Sequence, residues 1–247
     1  LTNYGEIAGI WFDGHWDQTN EEGHANRESR IDWKYEEIYS LIHQLQPKCM
    51  IGNNHHLATI AGEDFQMFER DLPGENKSGF NYQQASDKLP LETCETINGA
   101  WGYNITDRKY KSNSDIVKLL VGAAGRNANL LLNVGPMPNG QIQQEFVDTL
   151  ASAGNWLKYN GESIYATRGG PLAPQPWGVT TQKEKFIYIH LFKTPETGVI
   201  ELDLDKKVKK AALLQNNHPV EYKQEGKRVI IQTRSVSIHQ PDTIIRL

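Results

Sequence analysis

Ile7-Ala8-Gly9-Ile10-Trp11-Phe12-Asp13-Gly14 opens the argument: six mostly apolar residues end abruptly on a carboxylate and a glycine. An apolar run of this length, closed by turn residues, reads as a buried strand, and the Asp-Gly pair marks the point where the chain leaves the core. Residues 32–46 follow with Trp33, Ile38, Leu41, Ile42 and Leu45 at near-helical spacing. Asp32 stands where a helix cap belongs and Pro47 where a helix must stop. Residues 49–52 read as a second short strand, closed by the polar cluster Asn53-Asn54-His55-His56. Residues 65–70 alternate apolar and polar as a third strand does, and Leu72-Pro73-Gly74-Glu75 is a loop. Strand and helix patterns that alternate in this way are the signature of βα units around a parallel sheet.

The same pattern continues to about residue 168. Residues 91–101 show neither period. Ser112 or Ser114 is placed to cap a helix over residues 115–124, and Asn129-Leu130-Leu131-Leu132-Asn133-Val134, closed by Gly135-Pro136, reads as a buried strand. A helix is expected over residues 141–159 with Phe146, Leu150, Ala153 and Leu157 on its packed face. At residue 169 the composition changes. Gly169-Gly170-Pro171 and Pro174-Gln175-Pro176 punctuate the chain, and beyond them only short β-rich runs separated by turn residues occur, at residues 186–192, 199–204, 211–214, 228–233 and 243–247. We therefore expect an α/β domain over residues 1–168 and a small antiparallel sandwich over residues 169–247 that supplies no catalytic group. The lysine run Lys206-Lys207-Val208-Lys209-Lys210 reads as a solvated edge strand guarded by charge.

Composition narrows the function classes. The chain has 247 residues with 26 Lys plus Arg against 30 Asp plus Glu, a formal net charge of −4, so no global field favours a nucleic-acid partner. No apolar run approaches the roughly 20 residues that cross a bilayer, so no membrane partner is expected. Cys49 and Cys94 are too few for a disulfide framework and lack metal-ligand spacing. The chain opens on Leu1-Thr2-Asn3 with no initiator Met and no signal-peptide pattern, yet enters an apolar run by residue 7; it reads as a fragment of a longer chain.

Ligands of parallel α/β sheets and barrels sit at the carboxyl ends of the strands. Those ends carry Asp13-Gly14-His15-Trp16, then Asn53-Asn54-His55-His56, then residues 69–75, Trp101 and Asn133. Trp16 and Trp101 suit the apolar face of a sugar ring. Asp13 with one glutamate of the later loops would form the nucleophile and acid/base pair of a retaining glycosidase, about 5 Å apart.

Three motifs in order, Trp11-Phe12-Asp13-Gly14, the run from Gly125-Arg126-Asn127 through Leu130-Leu131-Leu132-Asn133-Val134-Gly135-Pro136 with Asn139-Gly140, and Asn160-Gly161-Glu162-Ser163-Ile164-Tyr165, resemble the α-L-fucosidases of glycoside hydrolase family 29. The resemblance implies a (β/α)8-like barrel, present here as its C-terminal portion, followed by a β-sandwich. It implies retaining hydrolysis of terminal α-L-fucose from a fucosylated glycan, with Asp13 as nucleophile and no cofactor or metal. Glu75, in the Pro-Gly-Glu of a Bacteroides-type stretch, is the implied acid/base residue, with Glu69 and Glu63 as alternatives. His15, Trp16, His55 and His56 are candidate substrate contacts, and Trp101 resembles the platform for the fucose methyl group. Family members carry a longer N-terminal part of the barrel that completes the sugar pocket, and they work in the periplasm or outside the cell.

Two rival readings remain. Asp13, His15, His55 and His56 would serve a metal-dependent hydrolase, although adjacent histidines on a strand end point in opposite directions. Trp16, Trp101 and Trp177 would serve a sugar-binding protein without catalysis.

Overall fold

A computed structural model of the chain describes residues 1–15 and 31–247. It divides into two compact units, one of residues 1–95 with 128–131 and one of residues 96–127 with 132–247.

The first unit holds β1 (Gly9–Phe12), α1 (Tyr35–Leu45), β2 (Met50–Asn53), β3 (Gln66–Glu69), β4 (Leu91–Thr96) and the start of β5 (Ala128–Asn133). β1 pairs with β2 in parallel, Phe12 opposite Asn53, and β3 pairs with β4 in parallel, Glu69 opposite Cys94. Ile10 and Phe12 point to the same face of β1 and pack with Tyr39 and Ile42 of α1 and with Ile51. Gly52 is glycine for a packing reason: a Cβ there would lie 2.2 Å from the ring of Phe65. The helix begins two residues later than a cap at Asp32 suggested. Lys34 stands at its N-cap in the left-handed region, and the Asp32 carboxylate accepts the Lys34 N–H at 3.1 Å, an Asx-type turn in front of the helix rather than a cap on it.

β5 corrects a second expectation. Its triple leucine is only half buried, with Leu131 45% exposed, because β5 lies at the edge of the β3-β4-β5 sheet. An all-apolar run needs neighbours on both faces to disappear from solvent.

The second unit carries α2 (Asn113–Gly125) and α3 (Gln144–Asn160) and two antiparallel sheets. The larger sheet runs β10 (Ala212–Leu213), β13 (Thr243–Arg246), β8 (Phe186–Leu191), β7 (Gly178–Lys183) and β6 (Arg168–Gly169). The smaller runs β11 (Tyr222–Glu225), β12 (Arg228–Gln232) and β9 (Val199–Asp203). Ile189, Leu191 and Ile245 of the first meet Ile200, Leu202, Val229 and Ile231 of the second, so the alternation of these short strands builds a sandwich core. The opposite face of the larger sheet is also covered: Val179, Tyr188 and Ile244 pack against Val117 and Val121 of α2 and Trp156 of α3. Ser112 supplies the cap of α2 in a reciprocal box with Asp115. In α3 it is Trp156 that is buried, whereas Leu150 is 40% exposed. The lysine run is not a strand; it is an irregular segment between β9 and β10.

One buried polar chain fastens this unit. Thr181 on β7 donates its only hydroxyl proton to the Ser163 carbonyl at 2.7 Å, so toward His190 on β8 it can only accept, from Nε2–H at 3.1 Å. Nδ1 of His190 then faces Asp242 Oδ2 at 2.6 Å, and His190 and the Asp242 side chain are fully buried. Asp242→Ala should lower stability by roughly 3–5 kcal/mol, since it strands the imidazole without its acceptor where water does not reach. Urea unfolding that shows a loss below about 1 kcal/mol would remove the chain from the account of how the sandwich is held.

Candidate active site

The side chains of chemical interest gather at the carboxyl ends of β1 to β4. Because Ile10 and Phe12 face α1, Trp11 and Asp13 face the other way, and the Trp11 indole N–H donates to Glu92 Oε1 at 3.1 Å. The β1–β2 ladder continues one residue past both strands, the Asn54 N–H donating to the Phe12 carbonyl at 2.9 Å. That register sets the Asn54 side chain beside Asp13. Its amide nitrogen donates one hydrogen to Asp13 Oδ1 at 3.2 Å and the other to Glu69 Oε2 at 2.9 Å. Both carboxylate oxygens thus stand within 3.2 Å of one amide nitrogen, which leaves them no more than about 6 Å apart. Asn54 is 2% exposed, so the bridging amide is held within the protein while Asp13 itself is open to solvent.

Glu69 is the better buried of the two carboxylates. Burial alone would raise its pKa, but hydrogen bonds from His56 and Asn54, with the positive charges of His56 and Arg70, outweigh it and hold the carboxyl below its ordinary range. His56 Nε2 stands 3.5 Å from Glu69 Oε2, and its ring lies against Phe80 at 4.8 Å between centroids. His56 and Arg70 both adopt left-handed backbone conformations, φ 57° and 61°, a strain of order 1 kcal/mol or more each that clusters at these two strand ends. The Glu69 backbone is clamped as well: Asn81 donates from Nδ2 to the Glu69 carbonyl at 2.7 Å and accepts the Glu69 N–H at 3.3 Å. Asp71 in turn gathers Asn81, both donors of Ser78 and the Lys77 N–H, and those bonds carry its pKa below the ordinary aspartate value despite burial. Around this group, burial and then the charges of Glu69, Glu92 and Asp13 push the Cys94 thiol up to about 12.

His56→Gln keeps a donor toward Glu69 but removes the cation. The Glu69 pKa should then rise, and any rate step that needs protonated Glu69 should extend to higher pH. A pH–rate profile whose alkaline limb stays in place would show that His56 does not act on the reacting acid.

The remaining sequence-stretch candidates fall into distinct environments. Glu63 belongs to a separate buried cluster, its Oε1 meeting His55 Nε2 at 2.6 Å and the Tyr39 hydroxyl at 3.4 Å. His55 Nδ1 accepts the Leu57 N–H, so its proton lies on the Glu63 side. Burial pushes the Tyr39 phenol upward, and the Glu63 charge adds to that. His15 Nδ1 lies 3.2 Å from the Tyr35 hydroxyl, and the two rings are tilted by 44° with centroids 5.8 Å apart. Glu75 sits in the loop after β3, its Oε2 2.7 Å from the largely exposed Lys77 ammonium. Trp101 is in the second unit, where Asn133 Nδ2 donates to its carbonyl at 2.7 Å. Trp16 lies outside the described residues. His15 and His55 lie edge to face, 6.3 Å between ring centroids, whereas His56 turns to Glu69, and among the described residues no three His, Cys, Asp or Glu side chains come together as metal ligands.

Comparison with known proteins settles the family. The α-L-fucosidase family profile matches residues 1–162. The chain belongs to the α-L-fucosidase family. It is 32% identical over 163 residues to the plasma α-L-fucosidase of Homo sapiens, a match spanning 60% of this chain and 34% of that one. It is 30% identical over 203 residues to the α-L-fucosidase of Dictyostelium discoideum, spanning 78% of this chain and 40% of the relative. Among solved structures, α-L-fucosidase isoenzyme 1 from Paenibacillus thiaminolyticus superposes with a TM-score of 0.74 at 32% identity, over 100% of this chain and 58% of that one. The chain therefore spans between about a third and three fifths of the length of these fucosidases.

Sequence reasoning placed Asn54 and Asp71 at strand ends without giving either a role, and it did not single out Asn81. Asn54 had a signal, since it stands at the end of a strand next to two histidines. Asp71 and Asn81 act through loop backbone, for which neither period nor motif gives a sign.

Proposed function

We propose that the protein is a retaining exo-α-L-fucosidase, with Asp13 as nucleophile and Glu69 as the general acid and then base. The observation that carries this is the Asn54 amide shared by Asp13 Oδ1 and Glu69 Oε2. Two oxygens at 3.2 and 2.9 Å from one nitrogen lie no more than about 6 Å apart, which accommodates the roughly 5 Å separation that retaining glycosidases use. Asp13 attacks the anomeric carbon of a terminal α-L-fucosyl unit as the leaving oxygen takes a proton from Glu69. The resulting β-linked fucosyl ester is then hydrolysed by water that Glu69 deprotonates, and the α configuration returns. The Asn54 amide and the Asn81 clamp hold the pair in place, so little reorganisation is needed at the moment of reaction.

The electrostatics give this reading a consequence. A Glu69 held below its ordinary pKa is protonated only on the acid side, so the fall of kcat/KM with rising pH should begin below the usual carboxylate range. Glu75 supplies a second reading of the acid, favoured by its partial burial and by an ion pair with the exposed Lys77 that opens at little cost.

The substrate class is a glycan with terminal α-L-fucose, and the family resemblance supports a periplasmic or extracellular setting. We read β1 to β5 and α1 as part of a (β/α)8-like barrel, with residues 169–247 as the accessory sandwich. The chain spans only part of its relatives' length, and the family resemblance implies that the remaining grip on the fucose hydroxyls comes from sequence outside the matched portion. Hydrolysis of an aryl α-L-fucoside followed by proton NMR tests the reading: the first anomer formed should be α-L-fucose, and β-L-fucose as first product would overturn it.

A further inference from the structure

The lysine run of the sandwich forms one wall of a groove of about 850 Å³. Its lining holds six cations, Lys185, Lys206, Lys207, Lys209, Lys210 and Arg246, against two carboxylates, Glu184 and Asp205. This excess stands in a chain whose net charge is −4, so it is a local field opposed to the general one. Asp205 is already paired with Lys227 at 2.7 Å, outside the groove lining.

The run is also fixed in place, unlike a stretch of loose surface lysines. Val208 is 8% exposed and packs in the sandwich core, between the two lysine pairs. Gln224 accepts the Val208 N–H at 2.8 Å and donates to the Lys206 carbonyl at 3.2 Å, while the Tyr222 hydroxyl donates to the Val208 carbonyl at 3.0 Å. The backbone is thus pinned at three points, and Lys206, Lys207, Lys209 and Lys210 stay exposed on either side of the anchor. Lys185 and Arg246 hold their cations 5.2 and 5.6 Å from the centre of the Phe186 ring, and Arg246 is also paired with Glu162 at 3.0 Å, so the lysines carry the free charge of the groove. Preorganisation of this kind lowers the cost of gathering like charges around a ligand.

We infer that this groove binds an anionic polysaccharide, a glycan chain bearing sulfate esters, and so anchors fucosylated substrate to the sandwich. The choice of a glycan rests on the proposed fucosidase activity; the choice of an anionic one rests on the groove alone. Single-stranded nucleic acid is the less suitable polyanion, because such sites offer aromatic faces for bases to stack on and the lining aromatic here, Phe186, already carries two cations.

The test is calorimetric titration of the protein with a sulfated α-L-fucan oligosaccharide, its desulfated counterpart, and single-stranded DNA of equal charge. The sulfated glycan should bind, and engagement of four anionic groups should weaken it on the order of tens of fold between 50 and 200 mM salt. The K206Q/K207Q/K209Q/K210Q variant should lose at least about tenfold in affinity, with its melting temperature and its turnover of an aryl fucoside unchanged. Equal binding of the desulfated chain or of DNA, or full affinity in the quadruple variant, overturns the inference. Loss of the fucosidase reading would show instead as absent aryl-fucoside turnover, whatever the titration gives.

Discussion

Asp13→Ala should remove nearly all turnover of an aryl α-L-fucoside, by on the order of 10⁴-fold or more, as deletion of a covalent nucleophile does elsewhere. Asp13→Asn does the same while keeping the shape of the side chain. The alanine variant leaves a small cavity on the face of the sugar that Asp13 attacks, and azide enters it. The rescued product is then β-L-fucosyl azide, inverted relative to the substrate. Folding should be untouched, since Asp13 is exposed and the Asn54 amide that donates to it is also held by Glu69. A loss under about tenfold, or azide rescue with retained configuration, would take Asp13 out of the nucleophile's place.

Glu69→Ala should slow hydrolysis of a natural fucosyl oligosaccharide by about 10²–10⁴-fold, because an alkoxide leaving group needs its proton. A nitrophenolate leaves without that help. On the aryl substrate, therefore, the first step survives, the fucosyl ester accumulates and its hydrolysis limits the rate. Azide now attacks the ester from the side that Glu69 served, and the product is α-L-fucosyl azide, of retained configuration. The two alanine variants are thus told apart by the stereochemistry of one product. If Glu75→Ala shows this behaviour and Glu69→Ala does not, the Glu75 reading replaces it, and the Asn54 bridge becomes a device that orients Asp13 alone.

The strand ends were legible in the sequence because they obey a simple rule: an apolar run ends and the next polar residue enters the mouth of the site. Asp13 and the 53–56 cluster were found in that way. The choice among Glu63, Glu69 and Glu75 was not, because spacing along the chain says nothing of which carboxylate the fold returns to Asp13. It depends on a side-chain amide, Asn54, that faces two partners at once, and on Glu63 being taken by His55. The sandwich shows the same division. Its apolar β-runs marked most strands, whereas β7, with threonines at Thr180 and Thr181 inside the unit, and the charged β11 carry no such run. The lysine run failed as a strand because its anchor, Val208, is held by side chains of β11 and not by a neighbouring strand's backbone. Charge told where the segment faces, and nothing in its composition told how its backbone is held.

The central claim is that a fucosyl unit becomes covalently attached to Asp13 during turnover. The direct measurement is intact mass followed by peptide mapping after incubation with 2-fluoro-fucosyl fluoride, whose fluorine slows hydrolysis of the ester more than its formation. The account predicts one added fluorofucosyl unit per chain, located on Asp13 and absent from Asp13→Asn. An adduct on another residue, or turnover of an aryl fucoside with no adduct at all, would contradict it.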